Sequence, residues 1–238
     1  MQISLIIPAH NEAEFIGPCL ESVERYAAGK FHEVIVVDNA SGDGTGHVAA
    51  RYVGVRVIRT ETKGLTHARQ IGLDSSSGEY VAYIDADCRL SASWFAMAEK
   101  HIRDFPDAVV WSGPVRYYDG SWFLRGLVVV TQRILYPFTI TLMGQWVLGG
   151  NFIARRSALM KTGGFDKTIA FYGEDADIGR RLSKLGPSKF KMDLFLYTSA
   201  RRIIHEGVIR TYARYTINFI WNMLFHRAFT KVYTDIRA

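Results

Sequence analysis

The sequence predicts an α/β fold, an open and largely parallel sheet with helices on both faces. Three observations predict it. Short apolar, β-branched runs alternate with longer amphipathic stretches through the first hundred residues. Two of these runs, Val34–Val37 and Tyr80–Ile84, are apolar throughout rather than at every second residue, as strands covered on both faces require. The 238 residues are 48% hydrophobic and 22% charged, which suffices for a sizeable core and excludes wholesale disorder, collagen and coiled coil.

Ile3–Ile7 is the first strand, closed by Pro8. A helix follows, with Pro18 near its first turn and Leu20 and Val23 on its buried face. Val34–Val37 is all β-branched and ends at Asp38, and Asn39–Gly46 is turn chemistry. His47–Tyr52 reads as a short helix, Val55–Ile58 as a third strand and Leu65–Leu73 as a helix closed by Ser75-Ser76-Ser77-Gly78. Tyr80–Ile84 is the fourth strand, ending at Asp85, and Trp94–Phe105 is helical. The second half is less regular. Residues 134–154 carry no charge, but Pro137, Gln145, Gly149, Gly150 and Asn151 interrupt them, so no membrane span is expected.

Charge is uneven. Residues 201–238 supply +5 of the net +6, so the basic excess belongs to a C-terminal tail rather than to a nucleic-acid-binding surface. Cys19 and Cys88 are far apart and show no metal-ligand spacing, which suits a reduced, cytoplasmic protein. The strand-like start has no basic n-region or cleavage site, so no signal peptide is expected.

In parallel sheets ligands sit at the carboxyl ends of strands. Pro8 to Glu12, Asp38 and Asp85-Ala86-Asp87 all fall just past strand ends. Two carboxylates two residues apart suit a hard divalent cation and its phosphate ligands, although alone they also fit a solvated turn. Gly42 and Gly44 have dinucleotide-fingerprint spacing, but the third glycine position is His47 and the loop follows the second strand, which argues against a nicotinamide enzyme. Arg69 reads either as a diphosphate ligand or as a surface helix charge. Glu174-Asp175 reads as a helix start favoured by the dipole or as a general base. Gly149-Gly150-Asn151 offers bare backbone and an amide to a sugar, or is a bend. His205 is a candidate third metal ligand or a structural histidine.

Taken together, the ordered set Ile-Ile-Pro-Ala-His-Asn-Glu (6–12), Val-Val-Asp-Asn-Ala-Ser-Gly-Asp-Gly-Thr (36–45), Gly64–Gly72, Asp-Ala-Asp (85–87), Gly-Gly-Asn (149–151) and Glu-Asp (174–175) resembles glycosyltransferase family 2 over about residues 1–190. The resemblance implies a GT-A fold: a Rossmann-like sheet flanked by helices, with a smaller acceptor-side region and a C-terminal amphipathic helix. It divides the chain into a nucleotide-sugar-binding half (1–112), an acceptor half (113–200) and the tail (201–238). It implies an inverting transferase using a nucleoside-diphosphate sugar and a divalent cation, Mn²⁺ or Mg²⁺. The implied donor-binding set is Pro8, Ala9, Asn11, Glu12, Asp38, Lys63, Arg69, Asp85, Ala86, Gly150, Asn151 and Glu174. Asp87, with His205, would hold the metal, and Asp175 would be the catalytic base. Asn39 and Lys63 depart from the family pattern, which bears on recognition of the donor base. The Gln-x-x-Arg-Trp motif of processive synthases is absent, so a single transfer is expected.

The tail mixes Tyr212, Tyr215, Phe219, Trp221, Phe225, Phe229 and Tyr233 with Arg210, Arg214, Arg227 and Lys231. Such a helix suits an anionic bilayer, which points to a peripheral enzyme on the cytoplasmic face with a glycan or lipid-linked acceptor. Packing on the enzyme itself, or in an oligomer, is the alternative. A catalytically silent sugar-nucleotide binder and a sugar nucleotidyltransferase are the rival functions. The latter would want a Gly-rich basic loop after the first strand, where Pro8–Glu12 stands instead.

Overall fold

The computed structural model describes residues 1–143, 147–169, 171–225 and 229–230, with 135–143 described by secondary structure alone. Gln145 and, in the tail, Arg227, Lys231 and Tyr233 lie outside the described residues.

The chain runs β1 (Ile3–Ala9), α1 (Ala13–Ala27), β2 (Glu33–Asn39), α2 (Thr45–Ala49), β3 (Val55–Thr60), α3 (Leu65–Ser75), β4 (Tyr80–Ile84), β5 (Arg89–Leu90) and α4 (Trp94–Asp104). It continues with β6 (Val110–Ser112), β7 (Val115–Tyr117), α5 (Trp122–Met143), β8 (Asn151–Arg155), α6 (Arg156–Lys161) and α7 (Glu174–Ser183). It ends with β9 (Ser188–Phe190), β10 (Leu196–Thr198), α8 (Arg201–Glu206) and α9 (Val208–Phe225). Seven strands form one sheet in the order β3-β2-β1-β4-β8-β6-β9, parallel except for β8. A small second sheet has the order β5-β10-β7. This is the mixed α/β, GT-A-like architecture that the sequence predicts.

Strand residues alternate between two cores. Ile3, Leu5, Ile7 and Ala9 of β1 pack with Ala82, Ile84, Trp111 and Ile153 beneath α1 and α4. Ile6, Ile35, Val81, Tyr83 and Phe152 face the other way, against α3, α6 and α7. Burial on both faces explains why these strands read as continuous apolar runs. Gly72 of α3 lies on Ile6 of β1, where any Cβ would overlap the isoleucine side chain. That glycine brings α3 close to the sheet.

Three local differences from the sequence reading have simple causes. β1 continues through Pro8 to Ala9, because only β2 pairs with its last residues while β4 stops at Ile6. Pro18 lies in the second turn of α1, and the carbonyl it leaves unbonded belongs to exposed Glu14, where water can serve it. The tail is two helices, broken at Gly207 with φ 85°. No helix among the described residues is long and apolar enough to cross a membrane.

Candidate active site

Parallel strands β1, β2 and β4 end side by side, which places their following loops along one rim. The loop after β1 is sewn to the loop after β2. Asn11, at φ 50°, accepts the Gly42 N–H on its Oδ1 (2.9 Å) and donates its own N–H to Ser41 Oγ (3.1 Å). Glu12 N–H donates to Thr45 Oγ1 (2.8 Å) and Ala13 N–H to Asp43 Oδ2 (2.9 Å). Asp38 is buried at the end of β2. Its Oδ1 accepts the Ser41 N–H (3.2 Å) and its Oδ2 faces Arg59 Nη1 at 3.0 Å. Asn39 Oδ1 accepts the Gly64 N–H (3.0 Å), which ties in the third loop, with exposed Lys63 beside it. Pro8, Ala9 and Ala86 are buried in or against the sheet, so their contribution to a ligand is backbone shape.

The acidic pair splits into two environments. Asp85 is 44% exposed and accepts from Arg69 Nη2 at 3.1 Å. Its Oδ2 lies 2.6 Å from where a Gly150 Cβ would stand, so the bare backbone of Gly150 borders this carboxylate. Asp87 is only 15% exposed, and burial pushes its carboxyl upward. Arg201 opposes that shift, with Nε at 3.1 Å and Nη2 at 3.0 Å from Asp87 Oδ2. The same Nη2 reaches Glu12 Oε1 at 2.5 Å, and the guanidinium lies over the Phe15 ring, 4.2 Å from its centroid.

α7 starts at the mouth of this rim. Glu174 turns inward onto Arg69 Nη1, and burial pushes its carboxyl up to about 8. Asp175 stays half-buried and faces outward. It accepts the Gly149 N–H (3.4 Å) on Oδ2 and the Ala176 N–H (2.8 Å) on Oδ1, and burial raises its pKa above the usual aspartate value. The Gly149 carbonyl accepts from Arg69 Nη2 (2.9 Å). A continuous path therefore runs Asp85–Arg69–Gly149–Asp175. A second path runs Asp38–Ser41–Asn11, then along the chain through Glu12 to Arg201 and Asp87. The aspartates of three distant segments thus share one rim.

Three sequence expectations meet a different placement. Arg69 is 1% exposed and held by Asp85, Glu174 and Gly149. It braces the acids from below rather than reaching a diphosphate. Asn151 is fully buried. Its amide donates to Pro114 O (3.2 Å) and Leu194 O (2.8 Å) and accepts from Trp94 Nε1 (2.9 Å), so both N–H donors are used and the side chain is sealed away from a sugar. His205 is exposed, one turn along α8 from Arg201, and it is Arg201 that reaches Asp87.

Sequence reasoning missed Arg59, Arg201 and the approach of α9. A signal for Arg201 existed, because Arg201-Arg202 opens a helix, where the dipole disfavours cations unless carboxylates hold them. From α9, Tyr215 packs on Tyr172 (5.4 Å between centroids).

The donor set suits a hard divalent cation, since Asp85 and Asp87 present carboxylate oxygens on one turn. Among the described residues no three His, Cys, Asp or Glu side chains form a metal cage, so such an ion would take its other ligands from a diphosphate and water.

The Glycosyl transferase family 2 profile matches residues 4–167. Glycosyltransferase AglE of Haloferax volcanii is 39% identical over 99 residues, covering 39% of this chain and 32% of AglE. Dodecaprenyl-phosphate galacturonate synthase of Rhizobium johnstonii is 34% identical over 95 residues, covering 37% of this chain and 28% of that protein. The matched stretches thus span about a third or less of these curated relatives. Mannosyltransferase PcManGT of Pyrobaculum calidifontis, solved with GDP-Man and Mn²⁺, superposes with a TM-score of 0.72 at 22% identity, over 94% of this chain and 64% of that one. With the profile spanning well over half the sequence and the motifs gathered on one rim, the chain belongs to glycosyl transferase family 2.

Proposed function

We propose that this chain transfers one glycosyl group from a nucleoside-diphosphate sugar to an acceptor hydroxyl, with inversion and without processivity. The observation that carries the reading is the linkage of Asp85 to Asp175 through Arg69 and Gly149, beside the loops that follow β1 and β2. The solved neighbour with GDP-Man and Mn²⁺ supports the donor class.

The loop pair 10–12 and 38–46 would hold the nucleoside, and Asp85, the more exposed acid, would face the ribose and the diphosphate. A divalent cation on Asp87, Mn²⁺ or Mg²⁺, supplies positive charge against the leaving diphosphate when bound. Asp175 takes the proton from the acceptor hydroxyl as it attacks the anomeric carbon. Burial raises its basicity, which favours that transfer. Glu174 and Arg69 fix the start of α7 and hold Asp85 in place. One base on one side and one leaving group on the other give inversion.

The acceptor is membrane-proximal in this reading. On α5, Trp122 is 85% exposed with Phe123 beside it, and on α9 Ile209, Ile217, Ile220 and Leu224 are exposed. Arg125, Arg133 and Arg210 are exposed among them. Apolar and basic side chains on the same helices suit the cytoplasmic surface of an anionic bilayer. A relative whose name includes a polyprenyl phosphate supports a lipid-linked acceptor.

The test is release of free nucleoside diphosphate from GDP- and UDP-sugars by the full chain with Mn²⁺ or Mg²⁺. Turnover that stops in chelator supports the reading. Tight donor binding without turnover on any lipid-linked or glycan acceptor would make the chain a binding module.

A further inference from the structure

We propose that Arg201 is a tethered cation that occupies the cation's place on Asp87 until a diphosphate draws it away. The proposal rests on the transferase reading and adds a control to its metal site.

The geometry is specific. Two nitrogens of one guanidinium lie 3.0 and 3.1 Å from the same oxygen of Asp87, and one of them also bonds Glu12. A divalent ion would sit roughly 2.1 Å from a carboxylate oxygen. On Asp87 Oδ2 such an ion and the guanidinium would compete for one position and repel each other. The other Asp87 oxygen accepts from Thr198 Oγ1 at 3.3 Å. Both Asp87 oxygens thus have donors without any free ion.

Arg201 is also placed to leave. It stands at the first position of α8, a helix anchored by Asp119, which accepts from Ser199 Oγ and the Ala200 N–H, both at 2.6 Å. Its guanidinium lies over the face of Phe15, and its side chain is 23% exposed. The backbone is therefore fixed while the long side chain can swing. A diphosphate offers a guanidinium fork several oxygens at once, more than the single oxygens that Asp87 and Glu12 each give it. When the donor enters, the fork moves to the phosphates and Asp87 becomes free for the divalent ion. Glu12, on the nucleotide loop, loses its ion pair in the same step. Donor and ion then bind with positive coupling, and neither carboxylate stands unpaired before the donor arrives.

The experiment measures Mn²⁺ binding to the full chain by the electron paramagnetic resonance of the free ion, without nucleotide. Wild type, R201Q and R201K are compared. R201Q is expected to bind Mn²⁺ at least about tenfold more tightly than wild type, because it removes a charge competing at contact distance. R201K, which keeps the charge but loses the fork, should fall between them. With the Mn²⁺ held by free nucleotide subtracted from a protein-free control, GDP or UDP should tighten Mn²⁺ binding by wild type by a larger factor than by R201Q, since both gain the diphosphate ligands and only wild type also loses the competing guanidinium. Equal or weaker Mn²⁺ binding by R201Q without nucleotide overturns the proposal. If R201Q does not fold, R201K decides: affinity above wild type supports the proposal and unchanged affinity overturns it. A purely structural arginine would lower the unfolding midpoint without raising Mn²⁺ affinity. Failure of the transferase reading shows separately, as no binding of GDP or UDP by wild type with or without the ion.

Discussion

Asp175 and Glu174 are neighbours with opposite assignments, and their surroundings explain why. Asp175 faces the rim with two backbone N–H groups on it, whereas Glu174 is sealed against Arg69. Asp175→Asn should lower kcat by about 10²–10⁴-fold while leaving donor affinity near wild type, measured by turnover and by nucleotide titration. Unchanged turnover would remove Asp175 from the mechanism. Burial raises the Glu174 carboxyl to about 8 from an ordinary 4.5 against the opposing pull of Arg69, so between those values the folded state favours the protonated form more than the unfolded chain does. Its contribution to stability is full below 4.5 and falls as pH rises through 8. Unfolding midpoints measured from pH 5 to 8.5 should therefore fall less steeply in Glu174→Gln than in wild type. Asn151→Ala leaves Trp94 Nε1 and the Leu194 carbonyl unpaired in the core, at a cost of about 2–4 kcal/mol. Calorimetry should show that loss, with donor affinity of the folded fraction unchanged. A selective loss of donor binding would instead return Asn151 to the sugar site.

At the scale of elements, strand and helix types follow from local pattern, and edges follow from partners. Tyr80–Ile84 is apolar throughout and is a strand over those residues, since it is central and covered on both faces. The short α2 starts at Thr45, two residues before the expected His47, because Thr45 is buried and Asp43 accepts its N–H (3.0 Å). α3 meets β1 through Gly72, so Gly72→Ala should cost about 1–3 kcal/mol in chemical unfolding, by overlap with Ile6. An unchanged midpoint would mean that α3 can lift off the sheet without penalty. Elements of the second half were less legible. β6, β7, β9 and β10 have three residues each, too few for a period to show.

Over the whole molecule, the two sheets and helices α8 and α9 bring distant parts of the chain together, with Arg201 meeting Glu12 across 189 residues. α9 packs on α7 and α8, and the Asn218 carbonyl and the Asn222 side chain lie against Gly173. Removing the tail would therefore disturb the base as well as any membrane contact. Substitution of exposed side chains is the cleaner test. Trp122→Ser with Phe123→Ser should sharply reduce co-sedimentation with anionic vesicles and leave the unfolding midpoint within about 0.5 kcal/mol of wild type. Equal sedimentation of the two proteins would count against the bilayer.

The sequence by itself determined the strand-loop positions of Asp38, Asp85 and Asp87 and the helix start at Glu174-Asp175, because apolar runs, turn residues and caps are local signals. Tertiary structure decided which way each side chain faces. Arg69 turned inward because two carboxylates await it, Asn151 was consumed by the core, and Arg201 rather than His205 reached Asp87. Those outcomes depend on contacts between residues 16 to 114 positions apart, and no local pattern encodes the partner a charge will find.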